Sequence, residues 1–363
     1  MSTPGISSDT GLSAAIRALK QQLGAKVCVM GHHYQAQEVV DHCDIVGDSL
    51  ELARKVADVT APHIVFCGVY FMGESAVLLA TPEQRVYLPD TNANCVMSLM
   101  TPAERLEALC ARLAALPTSG GKPAMIPLAY VNTSLAVKAV VGRYGGAVCT
   151  SANAKTMLQW ALDSAERVLF LPDKNLARNV ARELGLDEGR IHMLDIRKNG
   201  ATVDLDAAAA ARLLLWPGCC AVHAKFAPQY VAKARQTWPG CKIVVHPECS
   251  PETVRAVDAA GSTSFIIKYA EQAVRQSGGA VVIGTESNLV DRLRARHRGK
   301  GTIVRLRDAF CSHMGKVTAA KLHATLDAIA AGTATPLSVT EADKAPARAS
   351  LQRMLDACAR AGV

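Results

Sequence analysis

Three cysteines are set apart by their positions. Cys95 lies 27 residues after Gly68, Cys311 lies 27 residues after Gly284, and Cys220 follows the matching apolar run of the middle third of the chain. Thiolates from three distant segments suit a cubane iron–sulfur cluster held at three irons, its fourth iron open as a Lewis acid toward a carboxylate, carbonyl or hydroxyl. Structural zinc fits less well, because it takes four ligands with local Cys-x-x-Cys pairs, and this chain has no Cys-x-x-Cys. A single loop cysteine is most often a packing residue; three at matched positions fit that reading poorly.

Other polar groups recur around them. Three clusters close apolar runs: His32-His33-Tyr34, Tyr130-Val131-Asn132 and His246-Pro247-Glu248. Small turns follow at Gly47-Asp48-Ser49, Cys149-Thr150-Ser151 and Gly261-Ser262-Thr263, and a third set at Cys67-Gly68, Pro172-Asp173 and Gly284-Thr285. His32 to Ser49 and His246 to Thr263 are both 17 residues. Ser49, Ser151 and Thr263 stand where helices begin, so each is expected to cap its helix, and the same place offers N–H groups to a phosphate or carboxylate.

These groups need a scaffold, and its pattern is visible. Short β-rich runs at 26–30, 63–66, 85–88, 125–130, 147–149, 167–171, 212–216, 242–245, 264–267, 280–283 and 302–306 alternate with Ala/Leu-rich helical stretches. That alternation predicts an α/β fold with parallel sheets. The recurrence predicts three homologous three-layer α/β/α domains with small parallel sheets, in pseudo-threefold arrangement around one central active site. The expected units are 1–118, 119–238 and 239–331, with a C-terminal extension at 332–363 that ends in a helix over 345–361. From Pro172 to Cys220 is 48 residues, so the middle unit is expected to hold an insertion near 190–210.

Composition narrows the class. Of 363 residues, 50% are hydrophobic and 20% charged, which argues against disorder, and no apolar run reaches the roughly 18 residues of a membrane span. The N-terminal stretch lacks a basic region followed by an apolar core, so a cytoplasmic location is expected, with the twelve cysteines as thiols or ligands rather than disulfides. The net charge of +8 comes with only 4% aromatics, and the densest basic run, 292–300, reads as a solvated helix end. Small anionic substrates are expected, with no nucleic acid or membrane as partner.

The segment HHYQAQEVVDHCDIVGDSLELAR closely resembles the opening signature of the quinolinate synthase family. AYVNTSLAVKA, VCTSANA, WPGCCAVHAKF, VVHPECSPE, GSTSFI, GTESNLV and FCSHMGKVT follow in the family's order, so the resemblance spans roughly residues 25–326. It implies an enzyme of de novo NAD biosynthesis that condenses iminoaspartate with dihydroxyacetone phosphate to quinolinate, phosphate and water. It also implies a [4Fe-4S] cluster on Cys95, Cys220 and Cys311; Cys220 is preferred over Cys219 because the family ligand stands three residues before the histidine, here His223. Substrate binding is implied for His32, Ser49, Tyr130, Val131, Asn132, Ser151, His246, Pro247, Glu248 and Thr263, and acid/base roles for Tyr34 and Glu248. A transient contact with an aspartate oxidase follows from the family context. Three positions depart from common family patterns: His33, the Arg305/Asp308 pair where some members carry cysteines, and Ser312-His313 after the third ligand.

Two rivals come from other classes. Gly-Asp-Ser-Leu at 47–50 matches a hydrolase signature in which Ser49 would be a nucleophile served by a histidine. A non-catalytic small-anion binder would use the three hydroxyl turns alone.

Overall fold

The computed structural model describes residues 9–277 and 279–362. Three small parallel sheets, each flanked by helices, make the chain α/β. They fall in two compact units, one running through Asn94 and taking up Phe310–Val339, the other Cys95–Ala309 with Thr340–Val363.

The first unit holds β1 (Val27–His32), β2 (Ile45–Gly47), β3 (His63–Cys67) and β4 (Arg85–Tyr87), in the order β2-β1-β3-β4. Central β1 pairs Met30 with Ile45 on one side and Val27 with His63 on the other. Its outermost residues, His32 and the two that follow, thus project past the carboxyl edge, where parallel sheets present polar groups.

The second unit contains two sheets. β5 (Ile126–Tyr130), β6 (Ala147–Cys149), β7 (Val168–Leu171), β8 (Ile191–Met193) and β9 (Leu213–Leu215) are ordered β6-β5-β7-β9-β8. β10 (Lys242–Val245), β11 (Ala259–Ala260), β12 (Ala280–Gly284) and β13 (Thr302–Arg305) are ordered β11-β10-β12-β13. Leaving β8 aside, all three sheets run second, first, third, fourth. β8 is an added edge strand, and with a 3-10 turn at Arg197–Gly200 and the helix Leu205–Ala210 it accounts for the extra length before Cys220. β5, β7 and β12 are buried at every residue, as continuous apolar runs must be when helices cover both faces. Each large aliphatic side chain buried there contributes about 1.5–3 kcal/mol.

One expected strand is a helix. The run at 264–267 lies in Thr263–Ser277, because Ile266, Ala270, Ala273 and Val274 recur at helical spacing and are buried together. The partner strand of β10 is instead the two-residue β11. The C-terminal helix, Glu341–Ala361, starts four residues earlier than the composition predicts and packs on Leu135–Arg143 and β6. Gly142 makes that approach possible, since a Cβ there would overlap the carbonyl of Pro346.

Candidate active site

The three cysteines occupy one and the same local turn. The carbonyl of Cys95 accepts the N–H of Leu99 at 3.3 Å, that of Cys220 the N–H of Ala224 at 2.9 Å, and that of Cys311 the N–H of Gly315 at 3.0 Å. One residue on, Met100 donates to Met97, Lys225 to Val222 and Lys316 to His313. Short helical segments follow each cysteine: Val96–Leu99, His223–Lys225 and Met314–Lys316. All three cysteines are half-buried, as are Cys28, Cys43 and Cys219, whereas Cys67, Cys110, Cys149, Cys241, Cys249 and Cys358 are buried.

In the second unit, Cys220 stands in a built polar site. Its N–H donates to Asp173 Oδ2 at 3.0 Å, while Asp173 Oδ1 caps the helix Lys174–Glu183 through Asn175 and Leu176, both at 2.8 Å. Burial, followed by the Glu248 charge, pushes the Asp173 carboxyl well above its ordinary range against the pull of these three N–H groups. Burial also raises the Cys220 thiol well above its usual value, with Glu248, Cys95 and Asp173 as further negative neighbours. Cys95 is therefore an electrostatic neighbour of Cys220.

Glu248 organises the rest of this site. Its Oε2 lies 2.7 Å from His223 Nδ1 and 3.1 Å from His246 Nδ1, and the two imidazoles stack with centroids 4.3 Å apart. Burial works against the Glu248 charge, but the two imidazoles outweigh it and hold the carboxyl below the usual carboxylate range. His223 is pushed down by burial and by His246, and its Nε2 lies 3.1 Å from Thr285 Oγ1. Oε1 of Glu248 is buried and has no hydrogen-bond partner among the described residues. The backbone of this turn is tied down by Asn175 Nδ2 on Glu248 O (3.2 Å) and Asn179 Nδ2 on Pro247 O (2.8 Å) and Cys249 O (2.9 Å).

Tyr130, Val131 and Asn132 end β5. Val131 N–H donates to Cys149 O at 2.7 Å, Thr133 Oγ1 donates to Tyr130 O at 3.2 Å, and the Lys138 ammonium donates to Thr133 O. Asn132 Oδ1 is buried with no hydrogen-bond partner among the described residues.

The first unit brings together His32, Tyr34 and the Cys311 turn. Tyr34 N–H donates to His32 Nδ1 at 3.1 Å, and the two rings meet edge-on at 4.7 Å. Gln35 Nε2 reaches Met314 Sδ at 3.4 Å, linking this strand end to the turn after Cys311. His32 and His246 share a local design: the N–H two residues on faces the ring Nδ1 (3.4 Å for Glu248), and the N–H three residues on donates to the histidine carbonyl at 3.0 Å in both.

Among the described residues, in none of the three hydroxyl turns does the expected residue carry a helix cap bond. The helix Ser49–Val56 is capped by Asp48, whose Oδ1 accepts from Leu50 and Glu51 at 3.0 Å while Glu51 Oε2 accepts from Asp48 N at 2.9 Å. At the second turn Thr150, not Ser151, carries the local bonds: its Oγ1 accepts from Ala152 N at 3.3 Å and its N–H donates to Asn153 Oδ1 at 2.6 Å. At the third, Ser262 Oγ accepts from Phe265 N at 3.3 Å. At the first and third turns the capping residue thus precedes the one expected, whereas the helix after the second turn, Ala154–Ser164, begins only after Asn153 and has no side-chain cap bond. The hydrolase reading of Ser49 also lacks its base, since among the described residues no histidine is hydrogen-bonded to that hydroxyl.

Asp173, His223 and Thr285 were not predicted as site residues. Their signals were present, as Asp173 and Thr285 lie in the recurrent third turns and His223 stands three residues after Cys220.

The family profile described as Quinolinate synthetase A protein matches residues 14–356. Among relatives, a quinolinate synthase of Corynebacterium glutamicum is 41% identical over 96% of this chain and 88% of its own length. One of Streptomyces coelicolor is 42% identical over 96% and 89%, and one of Halalkalibacterium halodurans 42% over 95% and 93%. With a match over nearly its whole length, the chain belongs to the quinolinate synthetase A family.

Proposed function

We propose that this protein is a cytoplasmic condensing enzyme that joins iminoaspartate to dihydroxyacetone phosphate, giving quinolinate, phosphate and water for NAD biosynthesis, with a [4Fe-4S] cluster on Cys95, Cys220 and Cys311. The observation that carries the reading is the shared turn of the three cysteines, which gives each thiol the same local presentation. The residues fit such a group: three half-buried cysteines, and beside Cys220 a buried carboxylate oxygen without a hydrogen-bond partner among the described residues. When bound, the cluster supplies an open iron as Lewis acid.

The chain's own groups supply binding and proton handling. His32 accepts a backbone N–H at Nδ1, which leaves its proton on Nε2 to donate to a substrate oxygen. Asn132 Oδ1 is an acceptor in need of a donor, as an imine or amine nitrogen would provide. Ser49, Ser151 and Thr263, in the three hydroxyl turns, are assigned to substrate carboxylate or phosphate. Tyr130, Val131, His246 and Pro247 complete the binding surface. Glu248, kept ionised by its imidazoles, takes a proton at Oε1, and Tyr34 exchanges one at its phenol oxygen. Because iminoaspartate is labile, its supply calls for an aspartate-oxidising enzyme as a transient partner.

Protein purified without oxygen should be brown, hold about four irons per chain and form quinolinate from the two substrates. Glu248→Gln and Tyr34→Phe should keep the iron and lose product. A fully active, iron-free protein would sink the cluster assignment; a loaded protein that forms no quinolinate would sink the reaction.

A further inference from the structure

Cys220, His223 and Glu248 form a second kind of metal-ligand set, which shares Cys220 with the three cysteines. One ligand atom from each lies within 4.8 Å of the others, the spread of atoms around a single ion. All three lie in the second unit, on the loop after β9 and the loop after β10. We propose that when the chain carries no cluster, this triad binds one zinc ion, so that zinc and cluster compete for Cys220.

The chemistry favours zinc over magnesium and calcium. One sulfur, one imidazole nitrogen and one carboxylate oxygen make a mixed set suited to a borderline-soft tetrahedral cation, whereas magnesium and calcium require oxygen ligands throughout. Charge balance is also right. A Cys220 thiolate and the Glu248 carboxylate neutralise Zn²⁺, so the complex is neutral in a buried site. Glu248 Oε1, buried without a hydrogen-bond partner among the described residues, is an acceptor that an ion would satisfy.

The surroundings are arranged as an outer shell. Thr285 Oγ1 lies 3.1 Å from His223 Nε2 and can accept from that nitrogen once Nδ1 holds the ion. His246 stacks on His223 and lies 3.1 Å from Glu248 Oε2, fixing both ligands. Asp173 holds the Cys220 backbone. On binding, the thiol proton of Cys220 is released to solvent and the single ring proton of His223 sits on Nε2; no electron is transferred. The fourth zinc position stays open, as in sites with three protein ligands.

The test uses the full-length chain, cluster-free and cluster-loaded, titrated anaerobically with Co²⁺ as a spectroscopic stand-in and then with Zn²⁺. The cluster-free chain should take one Co²⁺ with a thiolate-to-cobalt charge-transfer band, and one Zn²⁺ should displace it. His223→Ala should weaken binding by at least about 100-fold and Thr285→Val by about 10-fold, the range for outer-shell loss, while Cys95→Ser leaves it unchanged. The cluster-loaded chain should take up no Co²⁺ with this band. Absence of the band in the unaltered cluster-free chain overturns the proposal without recourse to any variant. So does loss of binding in Cys95→Ser with retention in His223→Ala, which would mean a thiolate-only site. These results are separable from the reaction assignment, because none of them reads quinolinate formation.

Discussion

The indole N–H of Trp216 donates to the backbone carbonyl of Met100 at 2.9 Å. Trp216 follows the strand that leads to Cys220, and Met100 closes the short helix after Cys95, so one bond joins the loops of two cysteines. Its indole side is sheltered, since Trp216 is fully buried, while Met100 is half-buried.

Trp216→Phe removes the donor, strands the Met100 carbonyl and leaves a void. The expected cost is about 2–4 kcal/mol. Chemical denaturation of the cluster-free chain measures it, and iron content after reconstitution should fall with it. Unchanged stability and iron would show that the two loops are positioned by other contacts.

Asp173 serves three backbone donors with two oxygens, Oδ1 for Asn175 and Leu176 and Oδ2 for Cys220. An amide has one oxygen, so Asp173→Asn must abandon either the helix cap or the Cys220 N–H. The expected loss is about 1–3 kcal/mol. Hydrogen exchange at the amides of Asn175, Leu176 and Cys220 tells which set is given up; full protection at all three would contradict the assignment.

Much of this architecture was legible from residue order, for identifiable reasons. Runs such as Met125–Tyr130 and Ala280–Ile283 are apolar without interruption because they are central strands covered on both faces, and they read as strands at once. β2, β8 and β11 have two or three residues each, too few to establish a period. The run at 264–267 looked like a strand because Phe265, Ile266 and Ile267 favour one, yet its burial follows the helical spacing to Ala270 and Val274. The Cys95 and Cys311 turns were legible from their equal spacing, and the Cys220 turn once the insertion before it is set aside. The His223–Glu248–His246 group was only half visible, because it depends on loops from two different sheets meeting, which no local pattern encodes.

Gly142→Ala tests how the C-terminal helix is seated. The added methyl would overlap the Pro346 carbonyl, which is backbone and cannot rotate away. The helix Glu341–Ala361 must shift, at about 1–3 kcal/mol or more. Limited proteolysis should then cut within 341–361 faster than in the unaltered chain, and an unchanged cleavage rate would mean that the close approach is relaxed in solution.

Acid should destabilise the fold in a window set by histidines. His42 is held below its ordinary value of 6.5 by burial and by Arg17, with Lys20 acting the same way and Asp41 opposing. His63 is held down by burial, Lys26 and Arg85. Both accept or share bonds as neutral rings, His42 Nε2 with Ser13 Oγ at 3.1 Å and His63 Nδ1 with Tyr87 Oη at 3.0 Å. As pH falls through 6.5, the unfolded chain binds protons at these rings before the folded one does, so unfolding is favoured progressively until the depressed folded values are reached. The melting temperature should therefore drop between about pH 7 and pH 5, ahead of carboxylate protonation. The double variant His42→Gln/His63→Gln should show a flatter dependence across that interval, whatever its absolute stability. An identical slope would place the proton uptake at other groups.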